Sequence, residues 1–261
     1  MTSSRTGWVR PAERPFVQRA TEWVERVLTR GRWQLTDFLS PREVYLLEAI
    51  ARREGMVVRT DGGYDAAERR RALVLPEDWP LAREDFRIAV LAAVGMTPGF
   101  APEHGHVLGS ILGTGIERRL IGDIAVTDDK VLVAVCKEME SYLLQNWRQV
   151  GRDPVRVDVV TGSVAWPLPA YETQVITVSS LRVDAVLAQA CRLSRARAQE
   201  AVAGGKVSLN FAPCSHPDEE VGPGDLLSLR GFGRVWVRDV KGVSRRDRMV
   251  IEVGVLKSRS R

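Results

Sequence analysis

Residues 181–210 read LRVDAVLAQACRLSRARAQEAVAGGKVSLN, and residues 222–234 read GPGDLLSLRGFGR. In the first run Val183, Val186, Leu187 and Ala190 recur at helical spacing, which gives one short helix an apolar face to bury. Ser194 offers a hydroxyl to cap a second helix over 196–203, and Gly204-Gly205 end it. Val207 and Leu209 then alternate with Ser208 and Asn210 as in a half-buried strand. This helix-helix-strand order brings Lys206 to the helix ends, where Arg182, Arg195 and Arg197 can converge with it on one surface. Guanidinium forks, an ammonium and the free N–H groups of a helix start together suit a phosphate backbone.

Charge agrees with that placement. The 261-residue chain carries a formal charge of +5, and 44% hydrophobic residues are enough for two or three folded domains. From Leu181 onward 15 Lys and Arg face 9 Asp and Glu, a net of +6, whereas the preceding residues sum to −1. An acidic partner is therefore expected at the C-terminal third, and nucleic acid is favoured because neutralised phosphates release counterions. No basic amphipathic helix stands out to meet a membrane surface. Cys136, Cys191 and Cys214 lie far apart with no CxxC, so neither a disulfide framework nor a zinc knuckle is expected. The opening MTSSRTGWVRPAERP holds charges and prolines where a secretion signal needs an apolar core, and no run approaches membrane-spanning length. A cytoplasmic protein with reduced thiols is the expectation.

Working back toward the N-terminus, Phe16, Val17, Ala20, Val24, Val27 and Leu28 mark an amphipathic helix. Ser40-Pro41-Arg42-Glu43 announces a second, with a capping serine, a first-turn proline and a glutamate to complete the box. Strands are predicted at 56–59 and 72–75. Between 85 and 160 the periodicity runs strand 86–94, helix about 107–112, strand 121–126, turn Thr127-Asp128-Asp129, strand 131–135, helix 138–147, strand 155–160. This β-α-β-β-α-β order is that of a ferredoxin-like, RRM-like domain, although 131–135 lacks the aromatics that such modules use to stack bases. Arg118, Arg119 and Lys137 are its candidate RNA contacts. Residues 162–170, with Trp166, Pro167 and Pro169, read as a linker. Beyond the glycine-rich turn, 235–237 and 249–255 read as strands flanking a basic loop with Arg245, Arg246 and Arg248. Lys257, Arg259 and Arg261 form a basic tail.

Signatures of catalysis are sparse. His104-Gly105-His106 has no third ligand nearby and reads as a helix start. Gly109-x-x-x-Gly113-x-Gly115 is neither a Walker loop nor a dinucleotide fingerprint, and helix packing is its favoured explanation. No GxSxG elbow appears, and Cys136 has no evident histidine partner. Asp123 is the one carboxylate worth weighing as a catalyst, with bracing of the neighbouring hairpin the favoured role.

Leu181-Arg182-x-Asp184-x-x-Leu187, Leu193-Ser194-Arg195-x-x-Ala198, Gly205-Lys206-Val207-x-Leu209-Asn210 and Gly224-Asp225 resemble the S-four RNA-binding domain. Gln199 and Glu200 stand where many such domains have Arg or Lys, and Phe211 follows Asn210 where glycine is usual. Residues 62–69 (GGYDAAER), 108–118 (LGSILGTGIER), 121–124 (IGDI) and 230–234 (RGFGR) extend the likeness, and from about Trp33 to Val237 the chain resembles the bacterial YlmH family. The resemblance implies a multidomain α+β protein. Its parts are an N-terminal α/β domain (1–80), an RRM-like middle domain (81–162) and a C-terminal S-four domain with a basic extension (173–261). It implies a factor that binds rRNA and tRNA on the large ribosomal subunit, in a family associated with rescue of stalled chains. The sparse catalytic signatures make a non-catalytic protein the expectation, as a monomer without cofactor or small-molecule substrate. The RNA-binding residues would be Arg182, Ser194, Arg195, Arg197, Gln199, Lys206, Asn210, Arg230, Phe232 and Arg234. Phe232 stacks on a base in that reading, or tucks into a turn in the competing one. An RNA-modifying enzyme of the pseudouridine synthase kind, or a scaffold in cell division or photosystem assembly, are the alternatives.

Overall fold

The computed structural model describes residues 9–127, 129–162, 165–167, 171–244 and 246–258. Several sequence expectations fall outside them: the first eight residues, Asp128 of the turn, Pro169 of the linker, Arg245 of the basic loop, and Arg259 and Arg261 of the tail. The chain divides into two compact units, Met1–Leu168 and Pro169–Arg261.

The first unit opens with α1 (Arg14–Arg30), β1 (Gln34–Leu39), α2 (Pro41–Arg53), β2 (Val57–Asp61) and β3 (Arg70–Leu75). Phe16, Ala20, Val24 and Val27 line the buried stripe of α1, and Gly31 ends it in the left-handed conformation. At the start of α2 the Ser40 hydroxyl accepts from the Glu43 amide (3.3 Å) while the Glu43 carboxylate accepts from the Ser40 amide (2.7 Å), the reciprocal box that the sequence predicts. The three strands pair antiparallel in the order β1-β3-β2, with Leu46, Leu47 and Ile50 of α2 and the α1 stripe packed on Leu39, Ala72 and Val74. The sequence reading missed β1.

The unit continues with β4 (Ile88–Gly95), α3 (His104–Leu112), β5 (Ile121–Val126), β6 (Val131–Cys136), α4 (Glu140–Asn146), the two-residue β7 (Gln149–Val150) and β8 (Asp153–Val159). Their antiparallel sheet has the order β5-β6-β4-β8-β7. One face carries Leu91, Ala93, Val131, Val133 and Val135 and is covered by Val107 and Ile111 of α3, Leu143 of α4 and Trp147. The opposite face, with Ile88, Val90, Leu132, Ala134 and Cys136, is covered by Phe38 of β1, Tyr64 and Trp166. The Trp166 ring stacks on Tyr64 at 4.4 Å and 4° and is buried, so this part of the expected linker packs on the sheet.

The second unit contains β9 (Glu172–Val178), α5 (Val183–Ala190), α6 (Arg195–Ala203), β10 (Val207–Leu209), β11 (Ala212–Pro213), β12 (Leu226–Leu229), β13 (Gly233–Val243) and β14 (Met249–Lys257). All pairs are antiparallel, in the order β11-β10-β12-β13-β14-β9. Val183, Val186, Leu187 and Ala190 of α5 and Ala198 and Val202 of α6 are buried with Val207, Leu227, Val235, Ile251 and Val253 of the sheet. The protein is thus a multidomain α+β chain. No helix among the described residues is long and apolar enough to cross a membrane. Among the same residues no cluster of His, Cys, Asp or Glu could hold a metal ion.

Two expectations need correction. Asp123 does not brace its own hairpin: its carboxylate accepts from Tyr64 Oη (2.9 Å), the Glu68 amide (2.7 Å) and the Arg69 amide (3.1 Å), tying the loop after β2 to β5. Arg69 is buried there and donates to the carbonyls of Ile121 and Phe38. Helix packing does not explain Gly109 or Gly115, since a Cβ at either would meet nothing within 4 Å; Gly115 lies beyond α3 with φ 93°, a turn conformation that favours glycine. Close approach is instead decisive at Gly122, where a Cβ would lie 2.6 Å from the buried Phe38 ring.

Candidate nucleic-acid interface

Asp184 organises the first group of candidate residues. It sits in the first turn of α5, fully buried, where a carboxylate is favoured by the helix dipole. Arg182 meets it through Nε and Nη2 (3.2 and 3.1 Å), Arg195 through Nη2 (2.9 Å), and Gln199 donates from Nε2 (2.9 Å). Burial alone would push the Asp184 carboxyl up, but the hydrogen bonds from Gln199, Arg195 and Arg182 outweigh it and hold the group below the usual aspartate value. A buried carboxylate held by two guanidinium groups fixes their direction and offsets one of their two charges, so the group stays net positive. Arg182 and Arg195 remain 37% and 40% exposed, and the buried Arg195 Nε has no hydrogen-bond partner among the described residues.

Helix α6 starts beside this group. The Ser194 hydroxyl accepts from the Arg197 amide (3.2 Å), so Ser194 acts as the cap, and the Arg197 side chain is exposed. The helix ends in a Schellman turn, with the Lys206 amide donating to the Ala201 carbonyl and the Gly205 amide to that of Val202, Gly205 taking φ 65°. Lys206 follows directly on that turn. It lines an open recess of about 430 Å³ with Arg230 and Arg234. Arg182 and Arg195 thus gather on Asp184, and Lys206, Arg230 and Arg234 on this recess.

Two candidates have structural duties. Asn210 donates from Nδ2 to Asp225 (2.8 Å) and accepts from the Leu226 amide (3.0 Å), so its amide locks the β10–β12 region. Phe232 is partly buried against the domain core, as the turn reading requires, and its carbonyl accepts from the Ser258 amide. In the first unit, Arg118 donates to the carbonyls of Ile121 and Gly122, and burial beside the Arg69 charge brings it down to about 10. Arg119 pairs with Glu117 and Asp37, which raise its affinity for the proton, and Lys137 pairs with Glu140. All three are committed to contacts within the chain.

The sequence reading passed over Arg192 and did not count Phe211 among the candidate RNA contacts. Arg192 sits between α5 and α6 with φ 55°, and Phe211 turns the β10–β11 hairpin with φ 69°. Phe211 is 43% exposed and belongs to the recess. Its replacement of the usual glycine was visible, but only the turn geometry shows what that replacement does.

Family models match three consecutive stretches: "YlmH, N-terminal" over residues 12–79, "Putative RNA-binding domain in YlmH" over 81–163 and "S4 domain" over 181–227. The chain is 33% identical over 241 residues to the ribosome-associated protein quality control protein P2 of Bacillus subtilis, covering 92% of this chain and 93% of that one. Its fold is similar to the structure of the cell division protein ylmH from Streptococcus pneumoniae, with a TM-score of 0.54 and 24% identity over 62% of this chain and 96% of the other. The chain belongs to the YlmH family.

Proposed function

We propose that this protein is a non-catalytic RNA-binding factor that docks on structured ribosomal RNA or tRNA of the large ribosomal subunit through its C-terminal unit. The observation that carries this reading is the Asp184 group, in which a buried carboxylate aims two half-exposed guanidinium groups outward beside the start of α6. Such a fixed fork suits phosphate oxygens, whereas a flexible cation pays side-chain entropy on each contact. The B. subtilis relative, whose name places it with the ribosome in protein quality control, supports extending the reading to rescue of stalled chains.

The first unit takes a different part. Modules of its β-α-β-β-α-β order stack bases on the open face of the sheet. Here that face is covered by Phe38, Tyr64 and Trp166, so RNA contacts of residues 81–163 would use another surface. Asp123, the carboxylate weighed as a catalyst, is occupied by three hydrogen bonds, which supports binding over chemistry.

Sedimentation of the full-length protein with purified large subunits tests this. Co-sedimentation that is abolished by nuclease and weakened by Arg195→Ala is expected. Retention after complete RNA digestion would replace the RNA reading with a protein scaffold.

A further inference from the structure

Phe211 occupies a position that its side chain makes costly. β10 and β11 pair through Ser208 with Pro213 and Leu209 with Ala212, leaving Asn210-Phe211 as a two-residue turn. Both residues have positive φ, 50° and 69°, the pattern of a type I′ turn whose second position strongly favours glycine. A bulky side chain there strains the backbone, and the ring is still 43% exposed, so burial gives little in return. The part of the ring left exposed borders a recess, where a ligand can reach it.

Its surroundings identify the ligand class. Phe211 lines the recess of about 430 Å³ together with Lys206, Ser208, Arg230, Arg234 and Ser258, and among the described residues none that lines it is acidic. That volume falls at the small end of the range for small-molecule sites, the scale of a single nucleotide. An exposed aromatic face bordered by three cations is complementary to a flat ring carried between two phosphates. The Arg230 amide donates to the Lys206 carbonyl (2.9 Å), which holds those two backbone segments side by side at the recess.

We propose that Phe211 and this recess form a subsite for one unpaired nucleotide of RNA, whose base stacks on the Phe211 ring while Lys206 and Arg230 take the phosphates on either side. The proposal rests on the RNA-binding reading of the C-terminal unit and adds to it a preference for RNA with an unpaired base. Stacking tolerates every base, so the preference is for exposure of a base rather than for its identity.

Full-length protein would be titrated, in about 0.1 M salt, with two fluorescein-labelled RNA hairpins of equal length. One is fully paired and the other carries a single bulged adenosine. The wild type is expected to favour the bulged hairpin. Phe211→Gly is expected to weaken that complex by about 5- to 150-fold, the loss of one base–aromatic stack, and to leave the paired hairpin unchanged. Because glycine suits the turn, thermal unfolding of this variant should be no lower than that of the wild type, and Phe211→Trp should keep the preference. Equal wild-type affinity for the two hairpins, undiminished binding of the bulged one by Phe211→Gly, or an equal loss on both would overturn the subsite and leave the phosphate-binding reading standing. Failure of the wild type to bind either hairpin would overturn both.

Discussion

Replacing Asp184 by asparagine keeps the shape of the C-terminal unit and removes one charge from beneath its surface. The asparagine offers one acceptor oxygen where the carboxylate offers two, and its amide would face donors from Arg182, Arg195 or Gln199. Leaving one partner of a buried ion pair uncompensated costs about 3–5 kcal/mol. Arg182 and Arg195 are more than a third exposed, so water recovers part of this and the expected loss is about 2 kcal/mol. For a unit of this size that corresponds to a drop of about 8–16 °C in unfolding temperature, measurable by circular dichroism or calorimetry. The pH dependence has a definite sign. Because the folded Asp184 carboxyl is held below its ordinary value, its contribution is complete above the unfolded pKa of about 3.9 and disappears as pH falls through the lower folded value. Wild type and Asp184→Asn should therefore differ fully at neutral pH and converge below about pH 4. RNA affinity separates two ideas. If the guanidinium groups merely supply charge, the variant, more positive by one, binds RNA more tightly; if Asp184 aims them, it binds more weakly. Unchanged stability, or tighter RNA binding, would refute the organising role of Asp184.

Other expectations concern the two units separately. Gly122→Ala should destabilise the first unit by about 1–3 kcal/mol, because the new methyl overlaps the buried Phe38 ring, and a thermal melt should show this while RNA binding by the C-terminal unit stays unchanged. Arg192→Gly relieves a left-handed arginine at the end of α5 and should stabilise the second unit by about 0.5–1 kcal/mol in denaturant titrations. Burial raises the thiols of Cys136 and Cys191 to about 12, so iodoacetamide at neutral pH should label them only as fast as the protein unfolds.

Much of the architecture was legible because it rests on local signals. The capping box at Ser40, the apolar stripe of α5, the Ser194 cap and the Gly204-Gly205 stop each depend on residues within one or two turns. β1 was hidden because its alternation breaks where the register shifts between Leu35 and Phe38. The role of Asp123 was hidden for another reason, since its partners lie 54 to 59 residues earlier and no local pattern connects them. At the candidate interface the residue types were readable but their grouping was not. Arg182 and Arg195 gather on a buried carboxylate, and Lys206 follows the Schellman turn after α6 and lines a recess, neither of which residue spacing alone announces. Asn210 carried the right chemistry for RNA, yet the three-dimensional fold uses its amide to bind Asp225 and Leu226.

The most direct measurement is the salt dependence of binding to purified large-subunit RNA by wild type and by the Arg197→Ala, Lys206→Ala double variant. Both side chains are exposed, and neither supports the Asp184 group. Their loss should flatten the slope of log affinity against log salt by about 0.7–0.9 for each phosphate contact removed, with the melting temperature unchanged. An identical slope in the two proteins would contradict phosphate docking through the C-terminal unit.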